Sequence, residues 1–119
     1  MEFTFYDKSG IPVAYTEDGE HIFLFTGEPV AFLSSESVYS FSGKHLGWFR
    51  HGWIRDNLGE CVFFINDTQG GPMKPMKSMK PMKSMKLMKP MKGMKEMRPM
   101  RPMNSSSWSR TSGKKFFNQ

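Results

Sequence analysis

Apolar residues in the first 65 positions recur at fixed distances from four glycines. These glycines follow one another at intervals of 17, 16 and 16 residues: Gly10, Gly27, Gly43 and Gly59. Five positions before each glycine stands an apolar residue: Phe5, Ile22, Val38 and Ile54. Further apolar residues stand three and five positions after each glycine, and a spacing of two is typical of one face of a β-strand. Each unit of about 16 residues is therefore predicted to be a β-hairpin.

Each repeating glycine is expected to lie in the turn of its hairpin. A tight turn often needs a residue with positive φ, which glycine adopts without a Cβ penalty. Asp7 and Asp56 stand three residues before their glycines and are predicted to act as Asx-type turn residues. The connectors between the hairpins are short and mostly polar, so they leave no room for a helix. This part of the chain is therefore predicted to be all-β.

Four hairpins are expected to share one core, because an isolated hairpin is at most marginally stable in water. The side chains predicted to point toward a pseudo-fourfold axis are those three and five positions after each glycine: Val13, Tyr15, Val30, Phe32, Leu46, Trp48, Val62 and Phe64. Full burial of such a side chain is worth about 1.5–3 kcal/mol before entropy is subtracted. Together they make a plausible minimal core for four hairpin repeats in a pseudo-fourfold arrangement.

The hairpin residues resemble those of the bacterial 4-fold β-flower family. The resemblance covers residues 3 to 65 and rests on Gly10-Ile11-Pro12-Val13-Ala14-Tyr15, Gly27-Glu28-Pro29-Val30-Ala31-Phe32 and Trp53-Ile54-Arg55-Asp56, among others. The lysine triplets and the Ser-rich segment around Trp108 that follow also resemble the tail of that family. The resemblance implies four hairpins arranged as petals, and it implies no activity.

A regular triplet pattern begins after the hairpins. From Met73 to Met103 methionine stands at every third position, eleven times, and Lys or Arg follows each of the first ten. Prolines in the third slot would break an α-helix repeatedly, and an odd period does not suit one face of a strand. Polyproline II has three residues per turn, so the methionines would form one stripe and the basic residues another. A polyproline-II-like basic tail is therefore predicted, about 96 Å long if straight.

The charge of the chain changes sign at the start of this tail. Residues 1–72 carry 4 basic and 10 acidic side chains, a net charge of −6, whereas residues 73–119 carry 13 basic side chains and one acid, a net charge of +12. The predicted divisions are a β domain (1–67), a Gly-rich linker (68–72), the triplet tail (73–103) and a Ser-rich C-terminal segment (104–119). A region of about 70 residues buries only one modest core, which excludes a two-domain enzyme with a deep cleft.

The opposite charges favour docking of the tail on the chain's own domain or on a second copy. Six methionines and six lysines are predicted to make the contacts: Met76, Met79, Met82, Met85, Met88, Met91, Lys77, Lys80, Lys83, Lys86, Lys89 and Lys92. Methionine is an adaptable apolar filler, so its stripe is expected to face protein. Trp108, Phe116 and Phe117 are predicted to form an aromatic clip that returns to the domain. The alternatives are a disordered, solvated tail and sequence-independent binding of nucleic acid or an anionic membrane surface.

No catalytic, cofactor-binding or metal-ligating group of residues is predicted. His21, His45 and His51 fall in connectors or just after a turn, with no helix to bring them together on a metal ion. Cys61 is interpreted as a small filler rather than a nucleophile. The N-terminal residues lack the pattern of a signal peptide, and no stretch approaches the roughly 20 apolar residues of a membrane span, so a cytoplasmic location is expected. The predicted function is a small non-catalytic interaction or self-assembly module with no small-molecule substrate.

Overall fold

Eight antiparallel strands close into a barrel in the computed structural model, which describes all 119 residues. The strands are β1 (Phe3–Tyr6), β2 (Pro12–Thr16), β3 (His21–Leu24), β4 (Pro29–Ser34), β5 (Ser37–Tyr39), β6 (His45–Arg50), β7 (Trp53–Asp56) and β8 (Cys61–Phe64). Each strand pairs with the next, and β1 pairs with β8 through Tyr6 and Phe64. Closure leaves no unpaired sheet edge. A 3₁₀ helix (Gly113–Asn118) ends the chain.

The four predicted hairpins are confirmed, and each repeating glycine lies in a turn with φ between +80° and +100°. The Asx turns are also present. Asp7 Oδ1 accepts the backbone N–H groups of Ser9 and Ile11 at 2.9 and 3.0 Å. Asp56 Oδ1 accepts those of Leu58 and Glu60 at 2.9 and 3.0 Å. Side-chain hydrogen bonds therefore support the turns of the first and fourth hairpins.

A β-bulge recurs at the same place in every hairpin. In the first, Phe5 pairs with Ala14 but Tyr6 pairs with Pro12, so Val13 is an extra residue in β2. The other hairpins have equivalent extra residues: Val30, Leu46 and Val62. An extra residue shifts the alternation between the two faces of the strand by one position. Residues before and after the bulge must therefore be assigned to the faces separately.

The bulge decides which side chains reach the core. The central cluster contains the residues four positions after the glycines, Ala14, Ala31 and Phe63, together with the bulge residues Val30, Leu46 and Val62, and the half-buried Val13 packs against it. The prediction that Tyr15, Phe32, Trp48 and Phe64 point to the axis is wrong. None of these four belongs to the central cluster, and three of them form separate aromatic clusters. A spacing of two holds only on an uninterrupted strand, and the bulge interrupts each of these strands.

The C-terminal helix adds two aromatic side chains to the core. Phe116 and Phe117 are 0% and 6% exposed and belong to the central cluster. Their ring centres lie 5.7 and 5.4 Å from that of Phe63. Gly47 stands where the other hairpins carry Ala14, Ala31 and Phe63, and a Cβ there would overlap the backbone carbonyl oxygen of Arg55 and lie 3.2 Å from Phe116 Cζ. Glycine therefore permits the close approach of the Arg55 backbone and also leaves space for Phe116.

Residues 73–103 form neither helix nor strand. The molecule measures 36 × 35 × 24 Å, so a tail that would be about 96 Å long if straight has to curve around the barrel. Its polyproline II conformation stays a prediction. The chain has no helix long and apolar enough to span a bilayer.

Candidate interaction surface

The outer side of the barrel carries four cross-strand pairs, one at each junction between neighbouring hairpins. We call them the outer pairs: Tyr15 with Phe23, Phe32 with Tyr39, Trp48 with Arg55, and Phe64 with Tyr6. Each combines the residue five positions after one glycine with the residue four positions before the next. The three aromatic pairs have ring centres 6.0, 5.6 and 5.5 Å apart. The barrel thus repeats one surface feature four times.

The tail is hydrogen-bonded to all four turns at intervals of nine residues. The backbone N–H groups of Ser78, Leu87, Glu96 and Ser105 donate to the carbonyl oxygens of Gly10, Gly27, Gly43 and Gly59 at 2.8, 2.9, 2.9 and 3.0 Å. Four tail carbonyl groups, again nine residues apart, lie so close to the same glycines that a Cβ would overlap them: Met76, Met85, Met94 and Met103. Three triplets of the tail therefore match one hairpin.

Basic side chains of the tail lie over the outer pairs with the same period. The ammonium groups of Lys74, Lys83 and Lys92 lie 5.9, 4.6 and 4.8 Å from the ring centres of Phe64, Tyr15 and Phe32. Those of Lys77, Lys86 and Lys95 lie 5.5, 5.2 and 5.8 Å from the rings of Tyr6, Phe23 and Tyr39. An ammonium group over a ring face gains about 0.5–1 kcal/mol at an exposed site. Each aromatic outer pair therefore holds two lysines.

The fourth outer pair differs from the other three in having a cation on the barrel side. Arg55 replaces the second aromatic residue, and the tail position that continues the period is Asn104 rather than a basic residue. Arg55 Nη1 donates to the carbonyl oxygens of Gly59 at 2.8 Å and Ser105 at 2.5 Å. A basic residue at position 104 would bring a second positive charge to Arg55. At this junction Arg55 of the barrel donates to acceptors in the turn and in the tail, while the tail still places a cation over the ring: the Arg98 guanidinium lies 5.8 Å from the centre of the Trp48 ring.

Carboxylates of the barrel pair with three of the tail lysines. Lys83 Nζ lies 2.9 Å from Glu2 and 3.0 Å from Glu17, Lys86 also pairs with Glu17, and Lys92 Nζ lies 2.5 Å from Glu20. Hydrogen bonds from Lys86 and Lys83 lower the pKa of Glu17, and that from Lys92 lowers the pKa of Glu20. Hydrogen bonds to Glu2 and Glu17 raise the pKa of Lys83. Because these pairs are exposed to solvent, each contributes little to stability.

The predicted lysine contacts fall into two groups. Lys77, Lys83, Lys86 and Lys92 lie over rings, and the last three also meet carboxylates. Lys80 and Lys89 contact neither a carboxylate nor a ring. They stand six residues after Lys74 and Lys83, which lie over rings of the outer pairs. These two ammonium groups therefore remain available to solvent.

The methionine stripe faces away from the barrel. All eleven methionines of the tail are 89–94% exposed, including Met76, Met79, Met82, Met85, Met88 and Met91. The expectation that this stripe packs on the chain's own domain is therefore wrong. The barrel offers the tail glycine carbonyl groups, carboxylates and ring faces, which bind backbone N–H groups and ammonium groups. Because the backbone N–H groups and most of the lysines face the barrel, the methionine stripe faces solvent.

The third slot of the triplets contains a signal that the sequence analysis missed. Pro81, Pro90 and Pro99 stand nine residues apart, at positions where the tail donates no backbone hydrogen bond. The four positions that do donate one to a glycine carbonyl, 78, 87, 96 and 105, never hold proline. Proline has no N–H to donate. The third slot also holds Pro75 and Pro102, in phase with the donors Ser84 and Gly93, so proline is absent from the four positions that bind glycine carbonyl groups but its distribution does not by itself fix the nine-residue period.

The predicted aromatic clip lies at two separate places on the barrel. The ring centre of Trp108 lies 5.6 Å from that of Trp53 and 6.2 Å from that of Phe64. Beside it, the N–H of Cys61 donates to the carbonyl oxygen of Ser107 at 3.0 Å, and the N–H of Ser109 donates to that of Cys61 at 2.8 Å. Phe116 and Phe117 instead enter the central core. The far end of the tail is therefore held on the outer surface and in the core.

The buried side chains of His45, Ser37 and Asp56 make structural hydrogen bonds, whereas Tyr15 Oη and Trp48 Nε1 are buried without a partner. His45 Nδ1 lies 2.9 Å from Asn57 Oδ1 and His45 Nε2 lies 3.0 Å from Ser37 Oγ. Ser37, His45 and Asn57 are therefore connected in the way that the nucleophile, base and orienting residue of a catalytic triad are connected. Ser37 is 0% exposed, however, so no substrate reaches its hydroxyl group. Burial lowers the pKa of His45 and raises that of Cys61 to about 11. Asp56 Oδ2 accepts a 2.5 Å hydrogen bond from Ser109 Oγ.

The fold and this surface define a class: a small closed β-barrel of four repeated hairpins, encircled by its own basic C-terminal segment. Residues 3–117 match the family described as 4-fold beta flower protein, and the chain belongs to that family. The match includes the tail and the C-terminal helix, and the resemblance inferred from the hairpin residues is confirmed. The family is not a known enzyme family. No curated protein and no solved structure matches the chain.

Proposed function

We propose that the chain is a small non-catalytic interaction module whose basic tail docks on its own acidic barrel. The observation that carries this proposal is the nine-residue correspondence between tail and barrel. Tail N–H groups meet the turn glycine carbonyl at all four hairpins: Gly10, Gly27, Gly43 and Gly59. Because the same contact recurs at every hairpin, the tail docks along its whole length and not at one local site.

Both ends of the tail are held, which favours docking of the part between them. At its start, Trp53 Nε1 donates to the carbonyl oxygens of Gln69 and Gly70 at 3.2 and 3.1 Å. At its end, Trp108 lies on the outer surface and Phe116 is buried in the core. A segment with fixed ends has already lost part of its conformational entropy. The individually weak contacts between the middle of the tail and the barrel then have a smaller loss of conformational entropy to offset.

Docking of the tail on its own barrel determines which side chains of the module face a partner. The lysines over rings and carboxylates are turned to the barrel, so a partner meets the exposed methionines first. A second copy of the chain can offer the same acceptors, because the turn glycines and the outer pairs are identical in every copy. Exchange of tails between copies would make a homo-oligomer from the same contacts.

The docking proposal is tested by removing the carboxylate partners of the tail. In Glu17→Gln combined with Glu20→Gln, the partners of Lys86 and Lys92 lose their charge, so we expect faster backbone motion around these lysines in ¹⁵N relaxation measurements. Glu28→Gln combined with Glu60→Gln is the matched control, because it changes the net charge equally and neither residue pairs with a lysine. Equal tail motion in the two double variants would count against docking through these charges.

Binding of polyanions is the second candidate, favoured by Lys80 and Lys89, which have no barrel partner. The same variants distinguish the two functions through titration with duplex DNA between about 50 and 200 mM salt. If docking occupies the tail, the wild-type protein binds DNA weakly and Glu17→Gln with Glu20→Gln binds it more tightly than the control does. Tight wild-type binding that falls steeply with salt would instead favour the polyanion function.

A further inference from the structure

The exposed methionines share a chemical property beyond being apolar. Every one of the eleven triplets from Met73 to Met103 has methionine in its first slot, never Leu, Ile or Val. The third slot, by contrast, accepts Pro, Ser, Leu, Gly and Glu. Branched aliphatic residues would serve an apolar contact equally well. The uniform use of methionine on a face that is 89–94% exposed therefore points to the thioether sulfur itself.

The docked tail holds these thioethers in a regular row. Consecutive methionines are three residues apart, about 9.3 Å along a chain with three residues per turn and 3.1 Å per residue. Two unbranched side chains that lean toward each other can bring their sulfur atoms to one point between them. The N–H bonds of Ser78, Leu87, Glu96 and Ser105 fix the course of the tail at every third triplet. The backbone positions of neighbouring methionines are therefore held at a regular spacing.

The charges of the tail do not occupy this row. Lys83, Lys86 and Lys92 direct their ammonium groups toward carboxylates and rings of the barrel. The methionines lie on the opposite, solvent side. The pairing of Lys83, Lys86 and Lys92 lowers the repulsion that a bound cation would meet beside Met82, Met85 and Met91, whereas the unpaired Lys80 and Lys89 leave it higher beside Met79 and Met88.

We propose that the row of exposed methionines binds soft monovalent metal ions of the Cu(I) and Ag(I) class, each between two consecutive thioethers. Thioether sulfur is a soft ligand that selects such ions, whereas Mg²⁺ and Ca²⁺ require oxygen ligands. No group of three His, Cys, Asp or Glu side chains is placed to hold a metal ion. The thiol of Cys61 is 0% exposed, so it does not compete. The inference rests on the proposed docking, which keeps the sulfur atoms outside.

The test is a titration of the full-length protein with Ag(I), which needs no reductant, followed through the methyl resonances of methionine. We expect saturable shifts of the tail methyl groups and binding of about five ions, at two thioethers per ion. Met1 is an internal control, because it is 82% exposed and has no methionine neighbour in the sequence. Its methyl resonance should move far less than those of the tail.

A second preparation removes the sulfur without removing the side chains. Replacement of methionine by norleucine exchanges each sulfur for a methylene group, so binding should be lost while the fold stays intact. In Met82→Leu combined with Met85→Leu and Met88→Leu, runs of three and five methionines remain, so the number of bound ions should fall from about five to about three. Tail methyl groups that do not shift, a shift of Met1 as large as theirs, or an undiminished number of ions bound by the norleucine protein would overturn the proposal.

The same spectra separate this inference from the docking proposal. The amide resonances of Ser78, Leu87, Glu96 and Ser105 report whether the tail is docked before metal is added. Protected amides without methyl shifts would refute the metal site and leave docking intact. Unprotected amides would refute docking, and the ordered row of thioethers with it.

Discussion

The close approach of the tail to the turn glycines provides a quantitative test of docking. Gly10 has φ +80°, and a Cβ on it would overlap the Met76 carbonyl oxygen. Gly70 has the similar φ of +70°, but a Cβ on it would meet nothing within 4 Å. Gly10→Ala and Gly70→Ala therefore introduce the same kind of backbone strain, and only the first displaces the tail.

The expected magnitudes follow from these two environments. A non-glycine residue in the left-handed region costs about 1–2 kcal/mol, and this applies to both variants. Gly10→Ala also loses the hydrogen bond from the Ser78 N–H to Gly10, worth about 0.5–1.5 kcal/mol. We expect Gly70→Ala to lower the free energy of unfolding by about 1–2 kcal/mol and Gly10→Ala to lower it by about 1.5–3.5 kcal/mol.

The assay is urea unfolding followed by tryptophan fluorescence, with hydrogen exchange of the Ser78 amide as a local probe. In Gly10→Ala this amide should exchange faster, whereas in Gly70→Ala it should keep the wild-type rate. If the two variants differ by less than about 0.5 kcal/mol and the Ser78 amide stays protected in both, the tail does not rest on the turn. Docking as described would then be refuted.

Three further predictions address the core, the ion pairs and the thiol. Phe116→Ala should lower the free energy of unfolding by about 3–5 kcal/mol in urea unfolding, whereas truncation of the exposed Leu58 to Ala should change it by less than about 0.5 kcal/mol; equal effects would show that the C-terminal helix is not part of the core. Glu17 and Glu20 have folded pKa values below the usual 4.5, so their stabilisation is complete above pH 4.5 and is lost as the pH falls through those lower values. Tail motion in ¹⁵N relaxation should therefore increase only on acidification below pH 4.5, and an increase already near neutral pH would contradict this assignment. Burial raises the pKa of Cys61 to about 11, so iodoacetamide should alkylate this thiol only after unfolding, and rapid reaction of the folded protein would contradict its burial.

The hairpins could be predicted from the sequence because their causes are local. A turn that needs positive φ selects glycine, and Asp7 hydrogen-bonds to backbone N–H groups two and four residues away. Such requirements act within a few residues, so they leave a regular spacing in the sequence. The division of charge between residues 1–72 and 73–119 is likewise a property of composition alone.

The inward and outward faces were decided by the tertiary structure. Trp48 and Phe64 share their spacing with buried residues, but a bulge at Leu46 and at Val62 shifts the alternation and turns both rings outward. A bulge depends on pairing between two strands, so apolar spacing along one strand does not reveal it.

The orientation of the tail depended on the barrel for a related reason. A stripe of thioethers and a stripe of ammonium groups are both able to face a protein, and the surface they meet selects between them. Outer aromatic pairs and carboxylates such as Glu17 attract ammonium groups, and these acceptors come together only when the barrel closes. The sequence by itself therefore determined the repeats and the opposite charges, whereas only the folded barrel decided that the lysines face inward and the methionines outward.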